Sequence, residues 1–291
     1  MKICGFTFVR NAVKYDYPVV ESISSILPVV DEFIVSVGNC EDGTLGLIRS
    51  IASSKIRIVH STWDDSLKKG GRVLAAETDK ALAHVSKEYD WAFYLQADEV
   101  VHEKYSDTIV AAAKKYKDDP RVEGLLFKYV HFYGSYDYTG DSRRWYDHEI
   151  RLIKNNGNIA SYKDAQGFRT RDDKKLRVKE IDAEIYHYGW VRHPNKQYEK
   201  IVDFAGLWNG EGYAPSPHTT EKQFDFFNDA DSVELFKGTQ PAVMQKRIAE
   251  KNWEAKLDTR KKRFSFKDAL LYRMEKWTGK RLFAYKNYTA I

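Results

Sequence analysis

The sequence predicts an α/β fold built on a mixed, mainly parallel sheet. Four short apolar runs rich in β-forming residues are spaced along the first hundred positions, at Lys2 to Val9, Glu32 to Val37, Ile56 to His60 and Trp91 to Leu95. Amphipathic helical patterns separate them, and strands that alternate with helices form βαβ units with parallel pairing. A chain of 291 residues that is 43% apolar can bury the core of one large α/β domain.

The predicted helices lie between these strands, further strands follow, and the character of the sequence changes near residue 195. Helices are predicted at Val19 to Val30, Leu45 to Ser53, Val73 to Tyr89 and Tyr105 to Lys117, and later strands at Gly124 to Phe132, Glu149 to Lys154 and Glu184 to Tyr188. From Asn195 the pattern becomes helical and aromatic. We therefore predict a catalytic domain over residues 1–194 and a helical, basic, aromatic-rich extension over residues 195–291 that packs on it.

Composition limits the cellular setting. Two cysteines, Cys4 and Cys40, give no disulfide framework or cysteine zinc site. No stretch reaches the roughly 18 apolar residues that span a bilayer, and the first ten residues lack the features of a signal peptide. We expect a cytoplasmic protein without a nucleic-acid partner.

The positive charge is concentrated at the end of the chain. Residues 251–291 hold twelve Lys and Arg against four Asp and Glu, a charge of +8, so the first 250 residues sum to −3. The run Arg260 to Arg263, with Phe264, Phe266, Trp277 and Phe283 nearby, has two interpretations. It is either a solvated basic face or a peripheral contact with an anionic membrane or acceptor.

Polar side chains follow three of the predicted strands. They are Arg10 and Asn11, Asp42, and Asp98 with Glu99. In parallel sheets, ligands gather beyond the carboxyl ends of the strands, and carboxylates there suit a hard cation such as Mg²⁺ or Mn²⁺. For Asp98 and Glu99 the alternative is a solvated turn or a helix cap.

Three absent motifs exclude common α/β enzymes. The sequence contains no G-x-x-x-x-G-K-[ST] loop and no G-x-G-x-x-G after the first strand, which argues against P-loop enzymes and nicotinamide dehydrogenases. It also lacks a G-x-S-x-G element, which argues against an α/β-hydrolase.

The order of these motifs resembles family 2 glycosyltransferases of the GT-A fold. The first strand with Arg10-Asn11 is similar to the opening of that family, and Asn39 to Thr44 resembles its S-x-D-G-T element. Gln96-Ala97-Asp98-Glu99 resembles the D-x-D motif. His187 to Trp190, with Arg192 and a helix carrying Tyr198 and Lys200, resembles the H-Y-x-Y-R stretch of bacterial surface-polysaccharide and lipopolysaccharide core enzymes. The likeness covers roughly residues 1 to 205.

The resemblance implies an inverting transferase that moves a sugar from a nucleotide-diphosphate donor to a glycan or glycolipid acceptor. It places Arg10, Asn11, Asp42, Gln96 and Asp98 at the nucleotide-sugar. Lys69 or Arg72 would assist the diphosphate, although both also fit ordinary surface charge.

A divalent cation, Mn²⁺ or Mg²⁺, is the implied cofactor. Because Gln96 replaces the first acidic residue of the D-x-D motif, the metal would depend on Asp98, Glu99 and His187. His187 lies among aromatic residues, so a packed core residue is the alternative.

An inverting transfer needs a base close to the acceptor hydroxyl. The candidates are Asp164, which lies near a carboxylate of the related enzymes, and then Asp147 and Glu149. Arg151 is expected to pair with one of the carboxylates, and a purely structural ion pair is the alternative.

Two other functions compete. A sugar nucleotidyltransferase shares the general fold but is expected to carry a G-x-G-T-R-L-like loop where this chain has Val9-Arg10-Asn11-Ala12. A non-catalytic carbohydrate-binding protein would account for the 14% aromatic content, but not for polar residues at the ends of successive strands.

Overall fold

A computed structural model describes residues 1–64, 66–67, 69–209, 219–220 and 222–291. The strands are β1 (Ile3–Val9), β2 (Glu32–Val37), β3 (Ile56–His60), β4 (Trp91–Tyr94), β5 (Glu99–Val101), β6 (Gly124–Tyr133), β7 (Ser135–Gly140), β8 (His148–Lys154), β9 (Ile159–Tyr162), β10 (Gly167–Thr170), β11 (Leu176–Trp190), β12 (Thr219–Thr220), β13 (Gln223–Phe224), β14 (Val233–Leu235) and β15 (Tyr288–Ala290). The helices are α1 (Val19–Ile26), α2 (Thr44–Arg49), α3 (Arg72–Ala83), α4 (Ser106–Tyr116), α5 (Pro194–Asn209), α6 (Phe226–Asp229), α7 (Gln245–Ala249) and α8 (Phe266–Thr278).

Among the described residues, one sheet of eleven strands organises the molecule. Its main path runs β14-β7-β6-β8-β4-β1-β2-β3, and β11 pairs with β6, β5 and β15. The strands β4, β1, β2 and β3 are mutually parallel, whereas β8 runs antiparallel to β4 and β6. The predicted α/β class with a mixed sheet is therefore confirmed.

Alternation along each strand builds a core on both faces of the sheet. In β2, Phe33 and Val35 belong to one buried cluster and Ile34 belongs to the other. Since successive side chains of a strand point to opposite faces, this continuous apolar run is typical of a strand that is covered on both sides. Helix α1 packs on the first face through Ile23, and α3 packs on the second through Ala81.

The later chain departs from the sequence-based expectation in one important element. Strand β11 spans fifteen residues, where only Glu184 to Tyr188 was expected. It pairs parallel with β6 over most of its length and antiparallel with the short strand β5, so it sets His187 opposite Glu99. This long strand brings the second half of the chain to the end of β4.

The region after residue 194 is less purely helical than predicted. It begins with α5 and contains α8, but β14 pairs with β7 and β15 pairs with β11. The expectation of a helical extension is therefore incomplete, because two of its strands belong to the central sheet. The boundary at residue 194 stays a prediction. Within the described part of the chain, no helix is long and apolar enough to cross a membrane.

Candidate functional site

A cavity of about 440 Å³ lies across the carboxyl ends of the parallel strands. It is lined by Phe8, Val9, Arg10, Tyr17, Trp63, Leu74, Gln96, Ala97, Asp98, Tyr146, Asp164, Gln166, His187, Trp190, Lys200 and Phe204. In the sheet order β4-β1-β2-β3, three strand spacings separate the ends of β4 and β3, about 14 Å. The cavity is therefore long enough to run from Trp63, after β3, to Asp98, after β4.

Five residues predicted from sequence line this cavity together, namely Arg10, Gln96, Asp98, Asp164 and His187. They come from the ends of β1 and β4, from the β9–β10 turn and from β11. The remaining predicted residues, Asn11, Asp42, Arg72, Glu99, Asp147 and Glu149, are not among its lining.

Asp98 is the most central of the lining carboxylates. It follows β4 and is only 8% exposed, so it does not lie in the solvated turn that was the alternative. Its Oδ2 atom lies 3.4 Å from the Nζ atom of Lys200, and its Oδ1 atom lies 3.8 Å from the Nε2 atom of His187. Burial alone would raise the pKa of the Asp98 carboxyl, but Lys200, His187 and Arg192 outweigh it and lower that pKa. Asp98 is therefore an anion among cationic groups.

A chain of hydrogen bonds fixes the protonation of the His187 ring. The Nε2 atom of His131 lies 2.7 Å from the carbonyl oxygen of Tyr146, which can only accept. Burial, and then the neighbouring His187 ring, lowers the pKa of His131 well below its usual value, so this ring is neutral. Its Nδ1 atom must then accept from the Nδ1 atom of His187, 2.9 Å away. Because burial also lowers the pKa of His187, its Nε2 atom keeps a lone pair directed towards Asp98.

Gly189 leaves open the space between the Nε2 atom of His187 and the carboxylate of Asp98. A Cβ atom at this position would lie 2.5 Å from the Nε2 atom of His187 and 3.0 Å from the Oδ2 atom of Asp98. Metal–ligand bonds of about 2.1 Å can bridge donors that are 3.8 Å apart. The spacing of the pair would let both side chains reach one divalent cation. Within the described residues, no group of three or more His, Cys, Asp or Glu side chains is placed to hold a metal.

Two cations approach the same end of the cavity from β11 and α5. Lys200 contacts both Asp98 and the carbonyl oxygen of Gly189, 3.2 Å away. The fully buried Arg192 donates to the carbonyl oxygens of Tyr15 and Gly189. Burial, followed by the charge of Arg192, lowers the pKa of Lys200 to about 7. Together with Arg10 they give the cavity a positive character that suits a diphosphate.

Glu99 is not available as a metal ligand. Its two carboxylate oxygens accept from the Nη2 and Nε atoms of Arg151, at 2.7 and 2.8 Å, and both side chains are completely buried. Tyr129 and the backbone N–H of Gln96 also donate to the same carboxylate. The prediction that Glu99 binds the metal is therefore wrong, and the structural ion pair expected as the alternative for Arg151 is present here.

Asp164 is held against the cavity by an unusual turn. The residues on both sides of it, Lys163 and Ala165, have φ angles of 55° and 64°, a conformation that is uncommon without glycine. The Nε2 atom of Gln96 donates to the carbonyl oxygen of Ala165 at 3.0 Å. Burial raises the pKa of the Asp164 carboxyl. Gln96 therefore positions the turn that presents Asp164.

The other two candidate bases lie elsewhere. Glu149 is buried, one of its oxygens has no hydrogen-bond partner, and burial raises its pKa to about 8. Asp147 lies 3.3 Å from the Nδ1 atom of His148 and lines a separate cavity of about 230 Å³ near α8. Neither side chain belongs to the lining of the cavity that contains Asp98. Of the three candidates, Asp164 alone lies in the cavity wall.

The remaining predicted residues organise loops. Asn11, with a φ of 54°, accepts from the backbone N–H of Glu41, and Asp42 accepts from the backbone N–H groups of Lys14 and Thr44. Arg72 is exposed at the start of α3. The side chain of Lys69 lies outside the described residues.

Several residues in or next to the cavity were not predicted as site residues. Lys200 and Arg192 were noted only as part of the motif resemblance. Nothing in the sequence distinguished His131, Trp63 or Phe8 from other strand or loop residues. The Arg10 guanidinium lies 5.4 Å from the Trp63 ring, and the Phe8 and Trp63 rings are 5.6 Å apart. The rings of Phe8, on β1, and Trp63, after β3, form an aromatic part of the cavity wall.

The chain is similar to several solved structures. A crystal structure of S. aureus TarS is 16% identical, covers 70% of this chain and 39% of that chain, and gives a TM-score of 0.41. Glucosyl-3-phosphoglycerate synthase from Mycobacterium tuberculosis, solved with Mn²⁺, uridine diphosphate and phosphoglyceric acid, is 20% identical, covers 45% and 43%, and gives 0.30. A 4-diphosphocytidyl-2C-methyl-D-erythritol synthase from Anaerococcus prevotii is 12% identical, covers 66% and 91%, and gives 0.38.

The sequence matches no family model and no curated protein. This chain spans well under half of the TarS chain. Likeness at this level does not extend to activity, substrate or metal, so function is argued from the cavity itself.

Proposed function

We propose that the protein is an inverting glycosyltransferase that moves a sugar from a nucleoside-diphosphate donor to a glycan or glycolipid acceptor. The single observation that carries the proposal is the arrangement of the cavity. The Asp98 carboxylate lies beside the His187 imidazole and the Lys200 ammonium, the rings of Trp63 and Phe8 line another part of the wall, and Asp164 supplies a second carboxylate. A nucleoside diphosphate has a flat base and a doubly charged diphosphate, so it matches the aromatic and the charged part of the cavity.

The donor is oriented by residues of the chain itself. The base packs against Trp63 and Phe8, and the diphosphate lies between Arg10 and Lys200. Asp98 and His187 would hold a divalent cation, Mn²⁺ rather than Mg²⁺ because imidazole suits Mn²⁺ better. When bound, this cation stabilises the negative charge that develops on the leaving diphosphate.

The chemistry is one displacement at the anomeric carbon. The acceptor hydroxyl oxygen forms the new bond, the bond from the anomeric carbon to the diphosphate oxygen breaks, and the nucleoside diphosphate leaves with the electron pair. Asp164 takes the hydroxyl proton, and its raised pKa makes it a stronger base than an ordinary carboxylate. Trp190, which lines the same cavity, offers a ring on which an acceptor sugar can stack.

The acceptor is reached at a membrane surface if it is lipid-linked. The basic C-terminal segment would then hold the enzyme against anionic lipid. This contact is separate from the chemistry of the cavity, so an absence of membrane binding would not contradict the proposed transfer.

A thermal-shift screen tests donor binding. UDP, GDP, CDP and dTDP are compared with and without Mn²⁺, and a ligand at 100 times its Kd adds about 2.7 kcal/mol of stability. Stabilisation that needs Mn²⁺ in the wild type, and disappears in Asp98→Asn, supports the proposal. The same proteins are then assayed for hydrolysis of the corresponding nucleotide-sugars.

Two outcomes contradict the proposal. A protein that none of the nucleotides stabilises, but that binds oligosaccharides, is a carbohydrate-binding protein. A protein that releases pyrophosphate from a nucleoside triphosphate and a sugar phosphate is a sugar nucleotidyltransferase.

Replacing the proposed base separates chemistry from binding. Asp164→Asn keeps the hydrogen-bonding shape of the turn but removes the proton acceptor, so we expect kcat to fall by about 10² to 10⁴. Stabilisation by the nucleotide and Mn²⁺ should stay at the wild-type level. Asp147→Asn is the matched control, because that carboxylate lies in a different cavity, and an equal loss in both variants would remove Asp164 from the role.

A further inference from the structure

Helix α8 has an inner face that anchors it to the rest of the molecule. The Tyr272 hydroxyl and the Lys276 ammonium each contact the Asp141 carboxylate at 2.5 Å, and Glu275 pairs with Arg143 at 2.5 Å. These contacts fix which side of the helix faces the sheet. The opposite side must therefore face away from it.

The outer face carries large apolar side chains that touch almost nothing. Phe266 is 90% exposed, Leu270 is 53% exposed and Trp277 is 88% exposed. With Arg273, they recur at intervals of four, three and four residues, so they lie within roughly 60° of arc. Scattered exposed apolar residues are normal, but an aligned stripe of this kind marks an interaction surface. Phe283, just beyond the helix, is 89% exposed as well.

Charge is divided between the same two faces. The acidic residues of α8, Asp268 and Glu275, lie about half a turn away from the stripe. Lys267 and Arg273 are exposed at or beside the stripe, and Lys280 follows the helix. The outer face is therefore apolar and cationic, and its complement is a partner that is apolar and anionic.

The basic run singled out in the sequence does not supply this charge. Lys262 contacts Asp141 and Ser232, and Arg260 pairs with Asp258. Arg263 donates its backbone N–H to the carbonyl oxygen of Asp231. The run mostly joins the segment to its own neighbours, so the surface lies on α8 instead.

We propose that the outer face of α8 binds the surface of an anionic lipid bilayer. A helix with an apolar stripe and flanking cations lies in the plane of the interface, with its apolar side chains inserted beneath the headgroups. The stripe is convex and its aromatic side chains project singly, which suits a fluid lipid surface. Phosphate headgroups complement Lys267, Arg273 and Lys280, each contributing about 1 kcal/mol near the surface.

Vesicle flotation of the full chain tests the proposal. Vesicles of phosphatidylglycerol and phosphatidylcholine are compared with vesicles of phosphatidylcholine alone. We expect binding to the anionic vesicles only, weakened at least tenfold in Phe266→Ser/Trp277→Ser. Because 1 kcal/mol is about a fivefold change in affinity, Lys267→Gln and Arg273→Gln should each lose about fivefold, and high salt should reduce the same contribution. Quenching of Trp277 fluorescence by brominated lipid reports insertion directly.

The controls separate this surface from general charge. Lys114→Gln/Lys115→Gln removes two exposed cations from α4 and should leave binding nearly unchanged. Because both replaced aromatic side chains are almost fully exposed, the melting temperature of Phe266→Ser/Trp277→Ser should equal that of the wild type. Vesicle binding requires no sugar transfer, so its failure would leave the proposed function untouched.

Three results would overturn the proposal. They are no binding to anionic vesicles, equal binding by the wild type and the α8 variants, and self-association of the wild type through Trp277 without vesicle binding. The last result would assign the stripe to a second copy of the chain.

Discussion

Asp98 and Glu99 are adjacent carboxylates with opposite environments. Glu99 has both oxygens fixed by the Arg151 guanidinium at 2.7 and 2.8 Å and is completely buried. Asp98 has looser neighbours, Lys200 at 3.4 Å and His187 at 3.8 Å, and it faces a cavity. Two adjacent residues therefore hold a carboxylate that is fully paired inside the fold and one that faces the cavity.

This difference indicates how a carboxylate that stabilises the fold can be distinguished from one that can bind a ligand. A carboxylate whose oxygens are all paired has no capacity left for a ligand. A carboxylate whose neighbours stand at 3.4 and 3.8 Å can exchange these weaker contacts for a ligand. Exposure alone would not have separated them, because Asp98 is only 8% exposed.

The largest expected effect comes from Asp98→Asn. We expect transfer to fall by at least a thousandfold, because the variant loses the charge that would hold the cation at the diphosphate. The melting temperature should change little, because the substitution keeps the shape of the side chain. In addition, the pKa of Lys200 is about 7, so that side chain can lose its proton when the neighbouring charge is removed. Steady-state kinetics and thermal unfolding check both statements. Wild-type turnover would exclude Asp98 from the site.

For Glu99→Gln, unlike Asp98→Asn, we expect a large loss of stability. It leaves the Arg151 charge buried without its counter-ion, and breaking a buried pair costs about 3 to 5 kcal/mol of unfolding free energy. The control is Glu88→Gln. Its partner Lys2 is about half exposed, so loss of this surface ion pair should leave the stability nearly unchanged. Denaturant unfolding measures both. Equal stability of the two variants would contradict the structural role assigned to Glu99.

His131→Gln sharpens the comparison on the Asp98 side. The variant disturbs the acceptor that fixes the His187 tautomer, and loss of such a partner typically weakens metal binding about 10- to 100-fold. Titration of Mn²⁺ by electron paramagnetic resonance measures this without any substrate. His60→Gln, at an exposed histidine that ends β3, should bind like the wild type. An unchanged affinity in His131→Gln would make His187 a packing residue.

The smallest expected effect is at Glu149. Burial raises its pKa to about 8, so the folded chain keeps this proton between pH 4.5 and 8 while the unfolded chain loses it. Stability therefore falls as pH rises through this window and levels off above it. Glu149→Gln should be more stable than the wild type at pH 8 and about equally stable at pH 4. The exposed control Glu254→Gln should show neither change, and a wild-type pH slope in Glu149→Gln would contradict the assignment.

Local pattern predicted the first half of the fold well. Strands β2 and β3 were predicted with their observed ends, because apolar runs between turn residues depend on neighbours in sequence. The extent of β11 was missed, since its pairing with β6 and β5 depends on residues more than fifty positions away. The alternation of apolar and polar residues at its start is typical of a half-buried strand, and it was overlooked.

The site was predicted in outline for the same reason. Residues at the ends of β1 and β4 could be grouped by topology, whereas Lys200 could not, because its direction depends on how α5 docks. That docking involves Asp203, which contacts Lys14 and Tyr15 across the molecule. Glu99 was misassigned because a sequence shows a carboxylate but not the Arg151 that neutralises it.

The length of β11 has a consequence for synthesis on the ribosome. Asp98 leaves the exit tunnel 89 residues before His187, roughly 5 to 20 seconds earlier at ordinary rates of elongation. Throughout that interval β5 lacks the strand it pairs with, and the edge of the nascent sheet is open to other chains. Release of β11 closes that edge and supplies His187 and Gly189 in the same movement. A nascent chain therefore gains His187 and Gly189 and covers the pairing edge of β5 together.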